Sequence, residues 1–419
     1  MTKMTLIERD EQARAILRGN DRGGYTIPTS GLYPYQWNWD SAFAAWGFAT
    51  FDTERAWAEI ETLMSGQWES GMVPHILFHR PDPGYFPGPD VWGAYQGPIP
   101  SSGVSQPPVA ATLLRSVFER DPNHERMRPL FKKLKAWHAW FMTWRNHEGT
   151  IFITHPWESG RDNAPDWDAA MSAINPEGVG EYTRRDTSHV DESMRPTKEE
   201  YDRYVWLVQQ GKQSSWSDEK LAQLSLLRVA DPTTTFILLR ANRDLTFIGS
   251  ALGEDVHELE DWTTQLRQGA SILRNPELGV FDAIDLSTGK HTGNVSNASY
   301  LCWYAGVDDG TMLAHLEAAF SICRYPVPSH PTGTAKFDSK RYWRGPTWAF
   351  MNSMIGRGLR DMGYDDYADR LRDTTRDLIS EHGFAEYFDP LTGEPAGGGS
   401  FSWTAAVWLA WASPSVEDG

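Results

Sequence analysis

Apolar residues at helical spacing, interrupted repeatedly by long loops rich in Gly, Pro, Trp, Tyr and Asp, constrain this 419-residue chain more than any other feature. Leu130, Leu134, Trp137, Phe141 and Trp144 recur every three or four positions and so share one helix face, while Lys132, Lys133 and Arg145 point elsewhere. Tyr367, Leu371 and Leu378 repeat the pattern and lead to Gly383, which suits a C-cap. Further helices are expected to begin at Pro107, at Pro232 after Asp231, and at Gly310, Pro346 and Phe401. Only the stretches Gly149 to Thr154 and Gly279 to Asp285 read as strands, and both are short. The fold class that follows is all-α.

The intervening loops, residues 20–40, 79–108, 155–166, 324–346 and 386–402, are longer than simple connections, and loops of that length in a compact domain usually carry function. Antiparallel helix pairs arranged in a ring, with the loops of one end forming a pocket, satisfy both observations. A chain of this length often splits into domains, but enclosed helical barrels also reach it as one unit, so residues 1–419 are read as a single domain. The segment Glu177 to Gly211 stands apart: it is charged, poor in large aliphatics at first, and helical from about Lys198 to Val208. It is either a lid over the pocket or a solvated insertion.

A formal charge of −17 excludes a phosphate-tracking surface, so nucleic acid is not an expected partner. No run of 18 apolar residues exists to span a membrane. Met1 to Arg18 carries charges throughout and has no apolar stretch of a secretory signal, which places the protein in the cytoplasm. Cys302 and Cys323 sit among apolar neighbours and read as reduced, buried thiols. No metal or other cofactor is expected: Gly397 to Gly399 lacks the lysine of a phosphate loop, and Asp282 and Asp285 before Gly289 read as a hairpin turn rather than a Ca²⁺ loop. A homo-oligomer remains open. The 20 tryptophans point towards a small carbohydrate, because an indole offers a flat apolar face and one N–H donor to a sugar ring. Core packing must claim many of them.

Four clusters interleave such aromatics with hydrogen-bonding groups. Tyr33-Pro34-Tyr35-Gln36-Trp37-Asn38-Trp39-Asp40 comes first, followed by Trp157-Glu158-Ser159-Gly160-Arg161-Asp162-Asn163-Ala164-Pro165. Arg341-Tyr342-Trp343-Arg344-Gly345-Pro346-Thr347-Trp348 is the third, and Glu386-Tyr387-Phe388-Asp389-Pro390-Leu391-Thr392-Gly393 with Phe401-Ser402-Trp403-Thr404 the last. On its own, Asp162 reads equally well as an N-cap for the helix after Pro165, an office for which Asp166 and Asp168 compete.

Taken together, the four clusters, in order from residue 33 to 404, resemble glycoside hydrolase family 63 and its relatives among the trehalases and processing α-glucosidases. The resemblance implies an (α/α)6 barrel that hydrolyses α-glycosides with inversion, Asp162 as general acid and Glu386 as general base. Inversion needs a protonated carboxyl against the leaving oxygen and a carboxylate about 6.5–9.5 Å away to activate water. Asp162 must then hold its proton near neutral pH, through burial by the Trp-rich wall or the nearby charge of Glu158. Asp40, as an acceptor-only carboxylate, suits paired sugar hydroxyls, with Tyr33, Trp37, Trp39, Tyr342, Trp343 and Trp348 as walls.

The chain is short for the broader family, and its compactness resembles the bacterial subgroup hydrolysing mannosylglycerate and glucosylglycerate. That resemblance implies a glycerate site built from His75, Tyr85, Gln106 and Arg195, with Tyr201 on the lid. Neutral α-glucosides such as glucosylglycerol are the alternative substrates. An inverting phosphorylase would not need Glu386, a sugar epimerase would not need the Asp162 loop, and a non-catalytic sugar-binding protein would need neither carboxyl.

Overall fold

The computed structural model describes residues 6–416; the first five and last three residues of the expected 1–419 domain lie outside it. The protein is mostly helical. Twelve of its helices are labelled in chain order: α1 (Leu6–Asn20), α2 (Asn38–Phe48), α3 (Thr53–Ser65), α4 (Ala110–Arg120), α5 (His124–Trp144), α6 (Pro232–Leu252), α7 (His257–Ile272), α8 (Leu301–Tyr304), α9 (Met312–Ile322), α10 (Ala349–Asp361), α11 (Asp365–His382) and α12 (Ser402–Val407).

Contacts among the even-numbered helices form a closed circuit: α2 meets α4, α4 meets α6, then α8, α10 and α12 follow, and α12 returns to α2. A helix in the middle of such a circuit has no solvent face, and every residue of α2, α8 and α12 is buried. The odd-numbered helices lie outside. α1 packs on α12 and α2, α3 on α2 and α4, α5 on α4 and α6, α7 on α6, and α11 on α10. Their sequences say why: α11 buries Ala368, Leu371, Thr375, Leu378 and Ile379, a single stripe at helical spacing. Phe320 of α9 meets Tyr367 of α11 at 6.5 Å between ring centroids.

Local chemistry sets the helix starts. The expected Asp231–Pro232 start is found, with the Asp231 carboxylate accepting from Thr233 N and Thr234 N at 3.0 and 2.9 Å. Helices expected at Pro107, Gly310 and Pro346 begin two or three residues later, at Ala110, Met312 and Ala349, because those residues sit in the preceding turn. Gly383 ends α11 at φ 84°. The two short strands are confirmed in part: Thr150–Ile153 is one strand, but Gly279 to Asp285 splits into Val280–Phe281 and Ile284–Asp285. Ile284–Asp285 pairs with Lys290–His291, and Asp285 accepts from Ser287 N at 2.9 Å, so this is the expected hairpin turn. Cys302 and Cys323 are buried free thiols. No helix among the described residues is long and apolar enough to cross a membrane.

Residues 177–211 combine short turns with one long helix. Two short turns, Asp186–His189 and Glu192–Met194, lead to a helix Lys198–Gln213 opened by a capping box between Thr197 and Glu200. Ion pairs dock it on both flanks: Arg185 with Asp82 of the α3–α4 loop at 2.5 Å, and Glu200 with Arg341 at 2.7 Å and Arg344 at 3.1 Å.

Candidate active site

One pocket is lined by segments that lead into the even-numbered helices: the approach to α2, the long loop between α3 and α4, the loop after α5 with its insertion, Tyr342 before α10, and Phe401 and Trp403 at the start of α12. Helix N-termini are electropositive and leave unpaired N–H groups, so this end of the ring is the one suited to hydroxyls and carboxylates.

Asp162 is on the pocket wall. Its loop is held from beneath by Arg161, which is fully buried and pairs with Asp166 at 3.1 Å and with the α6 cap Asp231 at 3.3 Å. Asn163 accepts from Trp343 N at 2.9 Å, and the Asp162 carbonyl accepts from Tyr204 Oη at 3.0 Å. Asp162 itself caps nothing; the turn Pro165–Trp167 has no side-chain cap. Gly160 is required twice over: its φ is +69°, and a Cβ there would lie 2.3 Å from the Trp39 ring. The Asp162 carboxyl is partly open to the pocket but enclosed by protein, and burial pushes its pKa up to about 8. Arg195 opposes that rise, while Glu386 and Asp186 add to it. The expected role of Glu158 in this shift is not found. Glu158 is consumed by Arg145 at 3.0 Å and by Thr154 N at 2.6 Å, so its charge is already neutralised.

Glu386 lies just before the short strand Tyr387–Phe388, one layer behind the pocket surface and fully buried. Four donors converge on it. Tyr33 Oη donates to Oε1 at 2.8 Å, Arg195 Nη1 to Oε1 at 3.4 Å, Arg195 Nη2 to Oε2 at 2.8 Å, and Gly398 N to Oε2 at 2.8 Å. Those contacts use the lone-pair directions an ionised carboxylate offers. Gly397 makes the arrangement possible: at φ +70° it turns the chain, and a Cβ there would lie 2.2 Å from Glu386 Oε2. Gly397→Ala should therefore displace the carboxylate and lower kcat at least about tenfold with the far-ultraviolet circular dichroism unchanged. Unaltered kcat would show that the placement of Glu386 does not limit turnover.

Of the other residues singled out in the sequence, Tyr33, Trp37, Trp39, Asp40, His75, Tyr85, Gln106, Arg195, Tyr201 and Tyr342 all reach the pocket wall. Asp40 is in the first turn of α2 with Oδ1 buried and unpartnered, and burial plus the charge of Glu386 holds its pKa well above the usual carboxylate range. That direction favours the protonated form, which can donate as well as accept. Burial keeps His75 neutral, with Nδ1 2.9 Å from Ser102 Oγ and its ring stacked near Trp157. Gln106 Oε1 accepts from Trp39 N at 3.1 Å.

Two expected wall residues are elsewhere. Trp343 and Trp348 stack on each other at 4.0 Å, almost fully buried, and support Trp39 and Trp403 from behind. Arg195 lines the pocket and is also paired with Glu386, at 2.8 Å. Trp157 and Trp403 line the pocket and stand inside the aromatic clusters of the sequence, yet nothing in a linear motif separates a wall indole from a supporting one. Arg185 and Asp186 also line it and have no signal in the sequence beyond the general charge of the insertion.

A pocket walled by indoles, with one carboxyl holding its proton and a second held by donors alone, has the equipment for glycosidic bond cleavage, and the protein is a glycoside hydrolase. Residues 33–404 match the mannosylglycerate hydrolase MGH1-like glycoside hydrolase domain. The chain is 42% identical over 419 residues to mannosylglycerate hydrolase MGH1 of Selaginella moellendorffii, covering 96% of this chain and 85% of that protein. It is 34% identical over 430 residues to glucosylglycerate hydrolase of Mycolicibacterium hassiacum, covering 96% of each. The crystal structure of the family 63 mannosylglycerate hydrolase from Thermus thermophilus in complex with Tris and D-glycerate superimposes with a TM-score of 0.93 at 40% identity, covering 96% of this chain and 99% of that one. The chain belongs to glycoside hydrolase family 63, in its mannosylglycerate hydrolase group.

Proposed function

We propose that the protein hydrolyses mannosylglycerate or glucosylglycerate with inversion at the anomeric carbon, Asp162 acting as general acid and Glu386 as general base. The observation that carries the assignment is the asymmetry of the two carboxyls: Asp162 keeps its proton to about pH 8 at the pocket wall, whereas Glu386 meets only donors. The acid protonates the glycosidic oxygen, and the base takes a proton from the water attacking the opposite face. All four donors on Glu386 cannot stay in place while it does so. Arg195, carried on the 177–211 insertion, is the one that moves, and the insertion acts as a lid. The circuit of even-numbered helices is the inner ring of an (α/α)6 barrel, and the odd-numbered helices are its outer ring.

Asp40 binds sugar hydroxyls through its unpartnered oxygen, between Trp37, Trp39 and Trp403. His75, Tyr85, Gln106 and Tyr201 surround the glycerate. The decisive assay is release of sugar and glycerate from the two glycerate glycosides, with glucosylglycerol as the neutral comparison. Activity confined to glucosylglycerol would overturn the anionic aglycone. Proton NMR in the first minutes of turnover should show the β-anomer of the released sugar; an initial α-anomer would exclude inversion.

A further inference from the structure

The 177–211 insertion touches both carboxyl-bearing loops. Arg195 meets Glu386, and further along, on the helix Lys198–Gln213, Tyr204 meets the backbone of Asp162. Tyr201, Tyr204, Val205 and Val208 recur at helical spacing and belong to the buried face of that helix. Through Tyr204 this face packs on residues 155–162, the loop that carries Asp162.

Ring, carbonyl and hydroxyl of Tyr204 all take part. The ring stands edge-on to Trp157 of the pocket wall, with centroids 5.7 Å apart. At the start of the loop His155 Nδ1 accepts from Trp157 N at 3.1 Å, which leaves the proton on Nε2, and Nε2 donates to the Tyr204 carbonyl at 3.0 Å. Burial pushes the His155 pKa down to about 4, so the ring is neutral at neutral pH. At the far end of the loop Tyr204 Oη donates to the Asp162 carbonyl at 3.0 Å, and no other hydrogen bond to that carbonyl is made among the described residues. One residue therefore grips the loop at both ends, while standing behind the pocket wall at only 2% exposure.

We propose that Tyr204 is a positioning residue for proton donation: its hydroxyl fixes the Asp162 peptide and, through it, the direction in which the carboxyl meets the glycosidic oxygen. The inference rests on the assignment of Asp162 as general acid. In that step the bond between the anomeric carbon and the glycosidic oxygen breaks and the oxygen takes the Asp162 proton, while the attacking water bonds to the anomeric carbon and gives its proton to Glu386. Without the hydroxyl a buried carbonyl is left unpartnered, and the peptide turns to relieve it. Proton transfer falls steeply with such misalignment, whereas the groups that hold the sugar stay where they are. Tyr204→Phe isolates this contact, because it keeps the ring against Trp157 and the carbonyl for His155.

The test measures kcat and KM of the wild type, Tyr204→Phe and Asp162→Asn on mannosylglycerate and glucosylglycerate and on the α-mannosyl and α-glucosyl fluorides. Fluoride departs as a stable anion, so its bond to the anomeric carbon breaks with little help from an acid. On the glycerate glycosides Tyr204→Phe should lose about tenfold in kcat with KM within about twofold of wild type. On the fluorides its kcat should stay within about twofold of wild type, which also reports a folded protein. Asp162→Asn should show the same contrast on a larger scale, at least about a hundredfold on the glycosides and far less on the fluorides. Equal losses of Tyr204→Phe on both kinds of substrate would make its hydroxyl a general structural contact, and an undiminished kcat on the glycosides would show that it positions nothing. Either result overturns the proposal and leaves Asp162 as the acid. If Asp162→Asn is as badly damaged on the fluorides as on the glycosides, Asp162 is not the acid, and the role assigned to Tyr204 falls with it.

Discussion

Asp162→Asn should lose at least about a hundredfold in kcat and yet be more stable than the wild-type enzyme at pH 8. The amide has nearly the shape of the protonated carboxyl but no proton to transfer, so the acid step fails while the packing survives. The stability gain follows from linkage. An unfolded Asp titrates near 3.8, whereas burial raises the folded group to about 8, so between these values the native state holds a proton that the unfolded chain has lost. Wild-type stability therefore falls as pH climbs from about 4 to about 8, and the Asn variant is free of that slope. The carboxyl is partly open to the pocket, so the gap at pH 8 is on the order of a few kcal/mol rather than the full value of the shift. Urea melts of both proteins from pH 4 to 8 give the measurement, and a gap that does not widen with pH would mean that Asp162 stays ionised in the folded protein and is not the acid. Wild-type kcat/KM should likewise decline as pH rises through about 8. Glu386→Gln contrasts with this: it strands the buried Arg195 charge, so stability should drop by about 3–5 kcal/mol along with activity.

Much of this site can be read from the linear sequence, and the reasons are local. Asp231–Pro232 announces a helix start because cap and fixed φ act within two residues, and the stripe Tyr367, Leu371, Leu378 announces a helix because its period is one-dimensional. The alternation of inner and outer helices is also written in the burial pattern, but only contacts between distant segments reveal that the circuit closes. The same holds for the tryptophans. Trp39 and Trp343 look alike in their motifs, and which one touches a ligand depends on a stacking partner, Trp348, that only the fold supplies. Asp40 is readable as a pocket carboxyl, but the rise in its pKa is not, since that depends on burial and on Glu386, far away in sequence. Arg195 is legible as a pocket residue, whereas its partner there, also remote in the chain, is not.

Arg195→Ala should separate two duties of one side chain. In the free enzyme its guanidinium holds both oxygens of Glu386 and donates to Tyr33 Oη at 2.9 Å, so it positions the proposed base. Removing it leaves a buried carboxylate with Tyr33 and Gly398 as partners, which disfavours the ionised form that a base needs. That loss falls on every substrate alike. If the glycerate carboxylate also draws Arg195 to itself as the lid closes, a charge-assisted bidentate contact is lost in addition, but only on anionic substrates. Measured as kcat/KM on mannosylglycerate, glucosylglycerate and glucosylglycerol, the variant should therefore fall at least about tenfold on all three, and by roughly a further 2 kcal/mol on the two acids. Arg195→Lys keeps a charge near Glu386 but has no fork, so it should recover more of the neutral-substrate rate than of the anionic preference. Equal losses on all three substrates would confine Arg195 to positioning Glu386 and leave the carboxylate to Arg185 on the opposite flank of the insertion. A loss on the acids alone would show that Glu386 does not need Arg195 to act.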